Sequence, residues 1–400
     1  MGRPLLFYSA WPLGYHNLEA ERKARGFAAA GYDTVYVAGV GIRNPRLRTL
    51  PKAVDRIARG MLGRDGPAGS PVVADGLRSG SVLVVPPRQV GSVRRTNARW
   101  IGRRLTEMVG PGAVAWIRWP TPELVDALAT ADLAAVVYEC VDAYHHTPGI
   151  TGPWAARHEQ AERALVDRAD AVVVPSEHLA ERFRASAGRV AVVPHGVTLE
   201  AFPFAAPRED RSRPVVGFVG TLDYKLDLGF LRHVAERRTD WSIRLIGPIQ
   251  EGFDPAALAD LRNVSVEPAI PYERVGAAIA GFDASMMPYR DDPVYRSSTP
   301  LKNLEIMAVG RPAVARPTRA LEAYSDVIEL ATTPEAFLAG LDRVLAADSN
   351  DLARRRRARA EQESWRLRMD ELLGLLEALK AGPDAADAPL DRPQSIADAR

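Results

Sequence analysis

The sequence predicts an α/β protein made of two doubly wound (Rossmann-like) parallel-sheet domains that face each other across a cleft. Short apolar runs rich in valine alternate with stretches of helical periodicity along most of the chain. A segment with several prolines and no apolar periodicity interrupts this alternation once, and the alternation then begins again. The 400 residues, of which 46% are hydrophobic, also exceed what one core of ordinary size holds. Two domains of the same class follow from these observations.

The first half of the chain is predicted to form a parallel sheet with helices on both faces, because each apolar run is followed by a helical stretch. Its strand-like runs are residues 3–9, 33–39, 81–87, 113–119, 134–140, 171–176 and 190–196. We therefore expect an N-terminal domain over residues 1–196. The aperiodic segment over residues 197–214 is predicted to be a linker.

The second half repeats the same pattern and predicts a C-terminal domain over residues 215–360. Its strand-like runs are residues 215–220, 242–247, 264–268, 284–289 and 312–316. Residues 361–380 form an amphipathic pattern that predicts a helix with no strand after it. Residues 381–400 are rich in Ala, Asp and Pro, which predicts a disordered tail.

The charge of the chain is unevenly distributed. The net charge is +2, but residues 1–110 carry 18 Lys and Arg against 7 Asp and Glu. A basic face of this kind favours an anionic partner, such as a phospholipid surface, a phosphorylated acceptor or nucleic acid. A solvated arginine-rich surface without a partner is the alternative. No nucleic acid is expected, because the aromatic residues that interleave with basic ones in single-strand grooves are missing.

The composition also limits the compartment and the chemistry. The single cysteine, Cys140, excludes an intramolecular disulfide framework and a cysteine-based zinc cluster. No apolar run approaches the length of a membrane span, and the N-terminal apolar run is too short and broken for a signal peptide. A cytoplasmic location is the default expectation.

The most informative segment is PYRDDPVYRSSTPLKNLEIMAVGRPAVA, residues 288–315. It predicts a strand end, a polar loop and then a helix whose first turn contains Lys302. A cation is unfavourable at a helix N-terminus, so a lysine there suggests an anion in front of it. Glu305 lies three positions later on the same side, where its carboxylate can accept hydrogen bonds from vicinal hydroxyls such as those of a ribose. A surface Lys–Glu pair without a ligand is the alternative.

A second loop of similar character follows the strand predicted over residues 215–220. Gly220 allows a ligand to approach the backbone, and Lys225 supplies a positive charge for phosphate. Two such loops in one half of the chain predict a ligand that carries a diphosphate. The sequence has no Asp-x-Asp triplet and no histidines with ligand spacing, so no metal site is expected.

The segment PLKNLEIMAVGRPAVA resembles the nucleotide-sugar-binding signature of GT-B fold glycosyltransferases, especially the retaining family-four type (glycosyl transferases group 1). ECVDAYHHTPG, RADAVVVPSEHLAERF and VAVVPHGVTLEAF are similar to the N-domain and interdomain segments of that group. The resemblance covers about residues 3–380. It implies that the N-terminal domain binds the acceptor, that the C-terminal domain binds the nucleotide sugar, and that helix 361–380 crosses back onto the N-domain.

For the donor site, the resemblance makes Glu305 the ribose-binding carboxylate and places Lys302 at the donor phosphates. Gly220 and Lys225 match the loop that approaches the diphosphate. The family often has two glutamates separated by seven residues, and Ser297 stands eight residues before Glu305 in place of the first, which leaves the donor sugar open. Ser298 and Thr299 are expected to contact phosphate instead.

For the acceptor side, the resemblance places Gly14 in a loop near the diphosphate or the acceptor. Asp142 and His145 lie on another strand-end loop, where we expect a polar group for the transferred sugar or the acceptor. A turn glycine and a surface histidine pair without function are the alternatives.

Together these observations predict an enzyme, a glycosyltransferase that moves a hexose from a nucleotide-diphosphate donor to a hydroxyl acceptor in polysaccharide or glycoconjugate biosynthesis. The acceptor is a glycan, a lipid-linked or a small molecule. Retention of configuration and no required metal or other cofactor are expected. A peripheral contact of the basic N-domain with an anionic membrane at its inner face is a further expectation. The alternatives are a nucleotide-sugar epimerase of the same fold, a non-catalytic nucleotide-sugar or anionic-surface binding protein, and a nucleic-acid-binding protein.

Overall fold

The computed structural model describes residues 2–13, 18–39, 72–74, 76–82, 84–88, 90–141, 153–292, 295–296, 298 and 301–380. Within these residues the chain forms two compact units. Unit 1 comprises the described residues up to Val193 together with those from Met369 onward. Unit 2 runs from Pro194 to Arg368.

Unit 1 is built on an eight-stranded sheet in the order β3-β4-β2-β1-β5-β6-β7-β8. Neighbouring strands are parallel except β3 and β4, which are antiparallel. The strands are β1 (Arg3–Ser9), β2 (Tyr32–Ala38), β3 (Val72–Ala74), β4 (Leu77–Ser81), β5 (Ala113–Ile117), β6 (Leu133–Glu139), β7 (Ala171–Val174) and β8 (Val190–Val192). The α-helices of its N-terminal part are α1 (Leu18–Ala29), α2 (Gly91–Val109), α3 (Pro122–Leu128), α4 (Pro153–Val166) and α5 (Glu177–Ala180).

Both faces of this sheet are buried, which explains why its strands are almost continuously apolar. All five residues of β5 are buried, and their side chains alternate between two separate apolar clusters. The last helix among the described residues, α12 (Trp365–Lys380), packs in one of these clusters. Its Leu372, Leu375 and Leu376 are fully buried there together with Phe7 of β1. The i, i+3, i+4 spacing of the three leucines provides the apolar stripe that this contact needs.

Unit 2 is built on a six-stranded parallel sheet in the order β11-β10-β9-β12-β13-β14. The strands are β9 (Val215–Val219), β10 (Ser242–Ile246), β11 (Val264–Glu267), β12 (Ala284–Met287), β13 (Ala313–Ala315) and β14 (Glu329–Leu330). Its helices are α6 (Leu228–Arg237), α7 (Val275–Ala280), α8 (Lys302–Val309), α9 (Arg319–Glu322), α10 (Pro334–Ala347) and α11 (Asn350–Glu361). The sequence prediction of two α/β domains with parallel sheets is confirmed.

One predicted strand of unit 1 is displaced. The sequence predicts a strand over residues 81–87, whereas β4 ends at Ser81. Pro86 and Pro87 have no backbone N–H to donate to a neighbouring strand. The side chain of Asn97 from α2 replaces the missing partner strand: it accepts the Val85 N–H at 2.9 Å and donates to the Val85 carbonyl at 2.9 Å. The short strands β3 and β14 lack a signal in the sequence.

The segment predicted as a linker, residues 197–214, packs on unit 2. Phe202 is fully buried in the apolar core of that unit. The Ala205 N–H donates to the Val309 carbonyl at 2.9 Å, and Arg208 pairs with the buried Asp283 at 2.8 Å. The prolines therefore interrupt the periodicity without freeing the segment from the domain. The predicted tail over residues 381–400 lies outside the described residues.

None of the helices among the described residues is long and apolar enough to cross a membrane.

Candidate functional site

The strand order of the unit 2 sheet reverses between β9 and β12. The chain continues from β9 to β10 on one side and later returns with β12 on the other side of β9. In open parallel sheets, ligands bind outside the carboxyl ends of the strands at such a point. The loops that follow β9 and β12 are therefore the candidate site.

Backbone hydrogen bonds tie these two loops together. The Asp227 N–H donates to the Pro288 carbonyl at 2.8 Å, and the Arg290 N–H donates to the Lys225 carbonyl at 2.6 Å. The Arg290 guanidinium also donates to the Leu226 carbonyl at 3.2 Å. The β9 loop and the β12 loop consequently form one surface.

Two glycines hold the strand ends close to their neighbours. Gly220 has a φ of +150°, and a Cβ atom there would lie 2.1 Å from the Cε atom of Lys302. Gly247, which follows β10, has a φ of +157°, and a Cβ atom there would lie 1.9 Å from the Gly220 carbonyl oxygen. A side chain at either position would both strain the backbone and displace its neighbour. The predicted role of Gly220 as a position of close approach is compatible with this geometry, although the neighbour that occupies the space is Lys302.

Lys302 is the first residue of α8 and is partly exposed. Its ammonium lies 5.6 Å from the ring centre of Phe218, at the end of β9. The phenol oxygen of Tyr289, which is also a hydrogen-bond partner, raises the pKa of Lys302; the carboxylates of Glu305 and Asp223 add to this effect, and burial opposes it. A positive charge is thereby held at the start of α8, where the helix dipole alone would disfavour it.

Glu305 lies one turn further along α8 and is buried. The hydroxyl of Tyr272, in the loop between β11 and α7, donates to its Oε1 atom at 3.1 Å. The ring of Tyr272 packs edge-on against Phe202, with 5.5 Å between the ring centres. Lys302 and Glu305 are therefore a cation and a carboxylate one turn apart at the start of α8.

Lys225 extends from the β9 loop and is partly exposed to solvent. Its backbone N–H donates to the Asp223 side chain at 2.9 Å, which shapes the turn. Its ammonium lies 3.7 Å from the other carboxylate oxygen of Asp223, and its side chain is 39% exposed. The structure thus provides a second cation on the loop that is hydrogen-bonded to the β12 loop.

Of the remaining predicted site residues, the structure describes Ser298. The backbone N–H and the hydroxyl of Ser298 both donate to the Tyr295 carbonyl, at 3.0 and 2.9 Å. The hydroxyl oxygen of Ser298 can therefore only accept a further hydrogen bond. Four predicted site residues lie outside the described residues: Gly14, Asp142, His145 and Thr299.

Sequence reasoning did not single out Tyr289, Tyr272 or Gly247. Tyr289 follows β12 directly, so its position after a strand could have drawn attention to it. Tyr272 and Gly247 gave no local signal, because their contacts join residues far apart in the sequence. In the part of the chain that the structure describes, no three His, Cys, Asp or Glu side chains are grouped as metal ligands.

The corresponding edge of the sheet in unit 1 holds a cluster of buried charges. Lys23 of α1 lies 2.6 Å from Glu19 on the same helix and 2.5 Å from Glu139 at the end of β6. Arg118, which follows β5, lies 3.2 Å from Glu139 and 3.4 Å from Glu19. The indole of Trp116 donates to Glu139 at 2.5 Å. We call Glu19, Lys23, Arg118 and Glu139 the charge cluster; its two cations and two carboxylates have no formal net charge.

Comparison with known proteins agrees with this architecture. Residues 228–374 match a family model described as glycosyl transferase-like. The chain is 28% identical over 281 residues to the putative teichuronic acid biosynthesis glycosyltransferase TuaH of Bacillus subtilis (strain 168), a match that covers 64% of this chain and 70% of TuaH.

Two solved structures share the fold at low sequence identity. Sucrose-phosphate synthase from Thermosynechococcus elongatus is 15% identical, with a TM-score of 0.69 over 95% of this chain and 99% of that chain. Alr3699/HepE of Anabaena, solved in complex with UDP and glucose, is 14% identical, with a TM-score of 0.64 over 94% of this chain and 100% of that chain. The predicted alternatives of an epimerase and of a non-catalytic binding protein are not favoured by these matches. The family match and the curated relative show that the chain is similar to glycosyltransferases, and the solved structures show that it has the GT-B fold.

Proposed function

We propose that this glycosyltransferase transfers a hexose from a nucleoside diphosphate sugar, bound at the carboxyl edge of the unit 2 sheet, to a hydroxyl acceptor. The observation that carries the proposal is the pairing of Lys302 and Glu305 at the start of α8, beside the glycine ends of β9 and β10. Lys302 faces the phosphates and Glu305 accepts hydrogen bonds from the ribose hydroxyls. The complex of HepE with UDP and glucose supports a donor of this class.

The proposed chemistry requires stabilisation of the charge that develops on the leaving diphosphate. Lys302, Lys225 and the backbone amides at the start of α8 supply positive potential there before the reaction begins. We therefore propose a reaction that needs no metal ion. Retention of the anomeric configuration, with the acceptor hydroxyl attacking the face that the diphosphate leaves, is proposed from the resemblance to family-four enzymes.

For the acceptor side, we propose the roles that the resemblance gives to the remaining residues. Asp142 and His145 orient the transferred sugar or the acceptor, and Gly14 allows close approach to the backbone. Ser298 and Thr299 contact the donor phosphates, and the Ser298 hydroxyl turns from the Tyr295 carbonyl to donate to a phosphate oxygen. The acceptor is a glycan or a lipid-linked saccharide in polysaccharide or glycoconjugate biosynthesis.

The donor site is tested by the melting temperature in the presence of UDP, GDP, ADP, TDP or CDP. A ligand that binds only the folded state stabilises it by about 2.7 kcal/mol at a hundredfold excess over Kd. We expect one base to give the largest shift, and the Glu305→Ala variant to lose that shift. Glu322→Ala is the matched control, because Glu322 is exposed on α9 of the same unit. Equal shifts in wild type and Glu305→Ala would remove Glu305 from the donor site.

We also propose that unit 1 contacts anionic lipid through α2. The exposed face of this helix carries Arg95, Arg99 and Arg103, and the exposed Trp100 borders it. Among the described residues, Arg95 and Arg99 form no ion pair, so their charges are available to phosphates. An arginine near a lipid surface contributes about 1 kcal/mol, and an amphipathic indole suits the interface.

The lipid contact predicts that the double variant Arg95→Ser/Arg99→Ser binds vesicles of phosphatidylglycerol at least about tenfold more weakly than wild type. Sedimentation with these vesicles, and with neutral phosphatidylcholine vesicles, measures the effect. The control is Arg354→Ser, which removes an exposed arginine from α11 of unit 2. Equal binding to anionic and neutral vesicles, with no dependence on salt concentration, would contradict the proposal.

A further inference from the structure

The donor site contains a contact that links its carboxylate to a different part of the sheet. Glu305 belongs to α8, which follows β12, whereas Tyr272 belongs to the loop that follows β11. The Tyr272 hydroxyl donates to Glu305 Oε1 at 3.1 Å. The two residues are separated by 33 positions in the sequence, so only the fold brings them together.

Tyr272 is itself held in place by the core of unit 2. Its ring packs edge-on against Phe202, which is fully buried. The Phe202 carbonyl accepts a hydrogen bond from Arg357 at 2.7 Å, and the same guanidinium donates to the Ala308 carbonyl of α8 at 2.8 Å. The phenol that reaches Glu305 is therefore supported by residues that are also attached to α8.

We propose that Tyr272 is a positioning residue that fixes the Glu305 carboxylate for recognition of a ribose, and that this contact makes the donor site select ribonucleotides over 2′-deoxyribonucleotides. A carboxylate can accept hydrogen bonds from two vicinal hydroxyls only in a restricted orientation. The bond from Tyr272 to Oε1 limits the rotation of the carboxylate. A carboxylate has about four acceptor positions, so the bond from Tyr272 does not prevent the 2′ and 3′ hydroxyls from donating to the same group.

The energetic consequence is specific to the ligand. The hydrogen bond from the Tyr272 hydroxyl stabilises one orientation of the Glu305 carboxylate before the ligand binds, so the ligand does not have to order this side chain. Loss of the phenol hydroxyl should weaken binding of a ribonucleotide by about two- to tenfold, the range that one hydrogen bond accounts for. Binding of a 2′-deoxyribonucleotide should change little, because that ligand cannot use the full orientation of the carboxylate.

This inference rests on the proposed function, because it requires Glu305 to bind the donor ribose. The test measures the Kd of UDP and of 2′-deoxy-UDP by calorimetry for four proteins: wild type, Tyr272→Phe, Glu305→Ala and Tyr324→Phe. If another ribonucleoside diphosphate gives the largest thermal shift, that nucleotide and its 2′-deoxy form replace the uridine pair. If the largest shift comes from TDP, which lacks the 2′ hydroxyl, the inference is overturned. Tyr324 is the matched control, because it is a buried tyrosine of unit 2 that pairs with Glu363 rather than with Glu305.

The discriminating quantity is the Kd of 2′-deoxy-UDP divided by the Kd of UDP. We expect this ratio to be high in wild type and Tyr324→Phe, about two- to tenfold lower in Tyr272→Phe, and close to one in Glu305→Ala. If Glu305→Ala abolishes the ratio and Tyr272→Phe leaves it at the wild-type value, the role of Tyr272 is overturned and the donor assignment stands. If Tyr272→Phe weakens both nucleotides equally, its role is merely structural and the inference is also overturned. If Glu305→Ala leaves the ratio unchanged, the ribose role of Glu305 fails, and the inference fails with it.

Discussion

Lys302→Met is expected to lower the rate of sugar transfer by about two to three orders of magnitude, the loss seen when one preorganised group is removed from a developing charge. The ammonium of Lys302 stands at the start of α8, where the oxygens of Tyr289, Glu305 and Asp223 raise its pKa against the opposing effect of burial. A charge that is ordered before the reaction stabilises the leaving diphosphate without reorganisation. Methionine keeps an unbranched side chain of similar length, so the packing of that chain beside Gly220 is largely retained, whereas the cation–π contact with Phe218 is lost.

The measurement is kcat with the nucleotide sugar whose nucleotide gives the largest thermal shift. Lys225→Met is the comparison, because the Lys225 side chain is 39% exposed on the β9 loop. We expect this variant to lose only about tenfold, since a solvated charge stabilises less than one in a partly dry environment. Wild-type turnover in a folded Lys302→Met variant would exclude Lys302 from the chemistry. A larger loss in Lys225→Met than in Lys302→Met would transfer the main role to the β9 loop.

The parallel sheets could be predicted because burial on both faces leaves a direct trace in the sequence. Strands such as β1, β5 and β9 are nearly continuous apolar runs, and their predicted positions agree with the structure within a few residues. The strand predicted over residues 81–87 is wrong, because Pro86 and Pro87 lack N–H groups and Asn97 satisfies the backbone of Val85. The packing of residues 197–214, which were predicted to be a linker, could not be predicted either. Their aperiodic sequence hides contacts, such as the burial of Phe202, that only the fold creates.

The candidate donor site could be predicted in part. Lys302 and Glu305 lie close in the sequence, so helical spacing alone places them on one side of α8. The contribution of Tyr272 could not be predicted, because it comes from the loop after β11. Neither could the close approach of Gly247 to the Gly220 carbonyl, which depends on how β9 and β10 align. The charge cluster of unit 1 was missed for the same reason: Lys23 and Glu139 are 116 positions apart.

The largest effect on stability is expected in that charge cluster. Lys23→Met removes a cation that lies 2.6 Å from Glu19 and 2.5 Å from Glu139. The side chains of Lys23 and Glu139 are only 3% and 1% exposed, so water cannot replace the lost partner. Removal of one member of a buried ion pair costs about 3–5 kcal/mol. We expect a loss of this size in the free energy of unfolding of unit 1, measured by hydrogen exchange of the β5 and β6 amides in urea.

Two further variants separate an uncompensated charge from a lost packing contact. In Lys23→Met/Glu139→Gln the carboxylate is replaced by a neutral amide whose oxygen can still accept the Trp116 indole N–H. We expect this double variant to recover a large part of the loss, because the charges that remain in the cluster, on Glu19 and Arg118, are again equal and opposite. Lys380→Met is the control at the surface of the same unit, where Glu377 is 60% exposed, and should cost less than about 1 kcal/mol. If Lys23→Met cost no more than Lys380→Met, the cluster would be accessible to water. If the double variant were less stable than Lys23→Met, the carboxylate of Glu139 would stabilise the sheet through Arg118 and Trp116 rather than through Lys23.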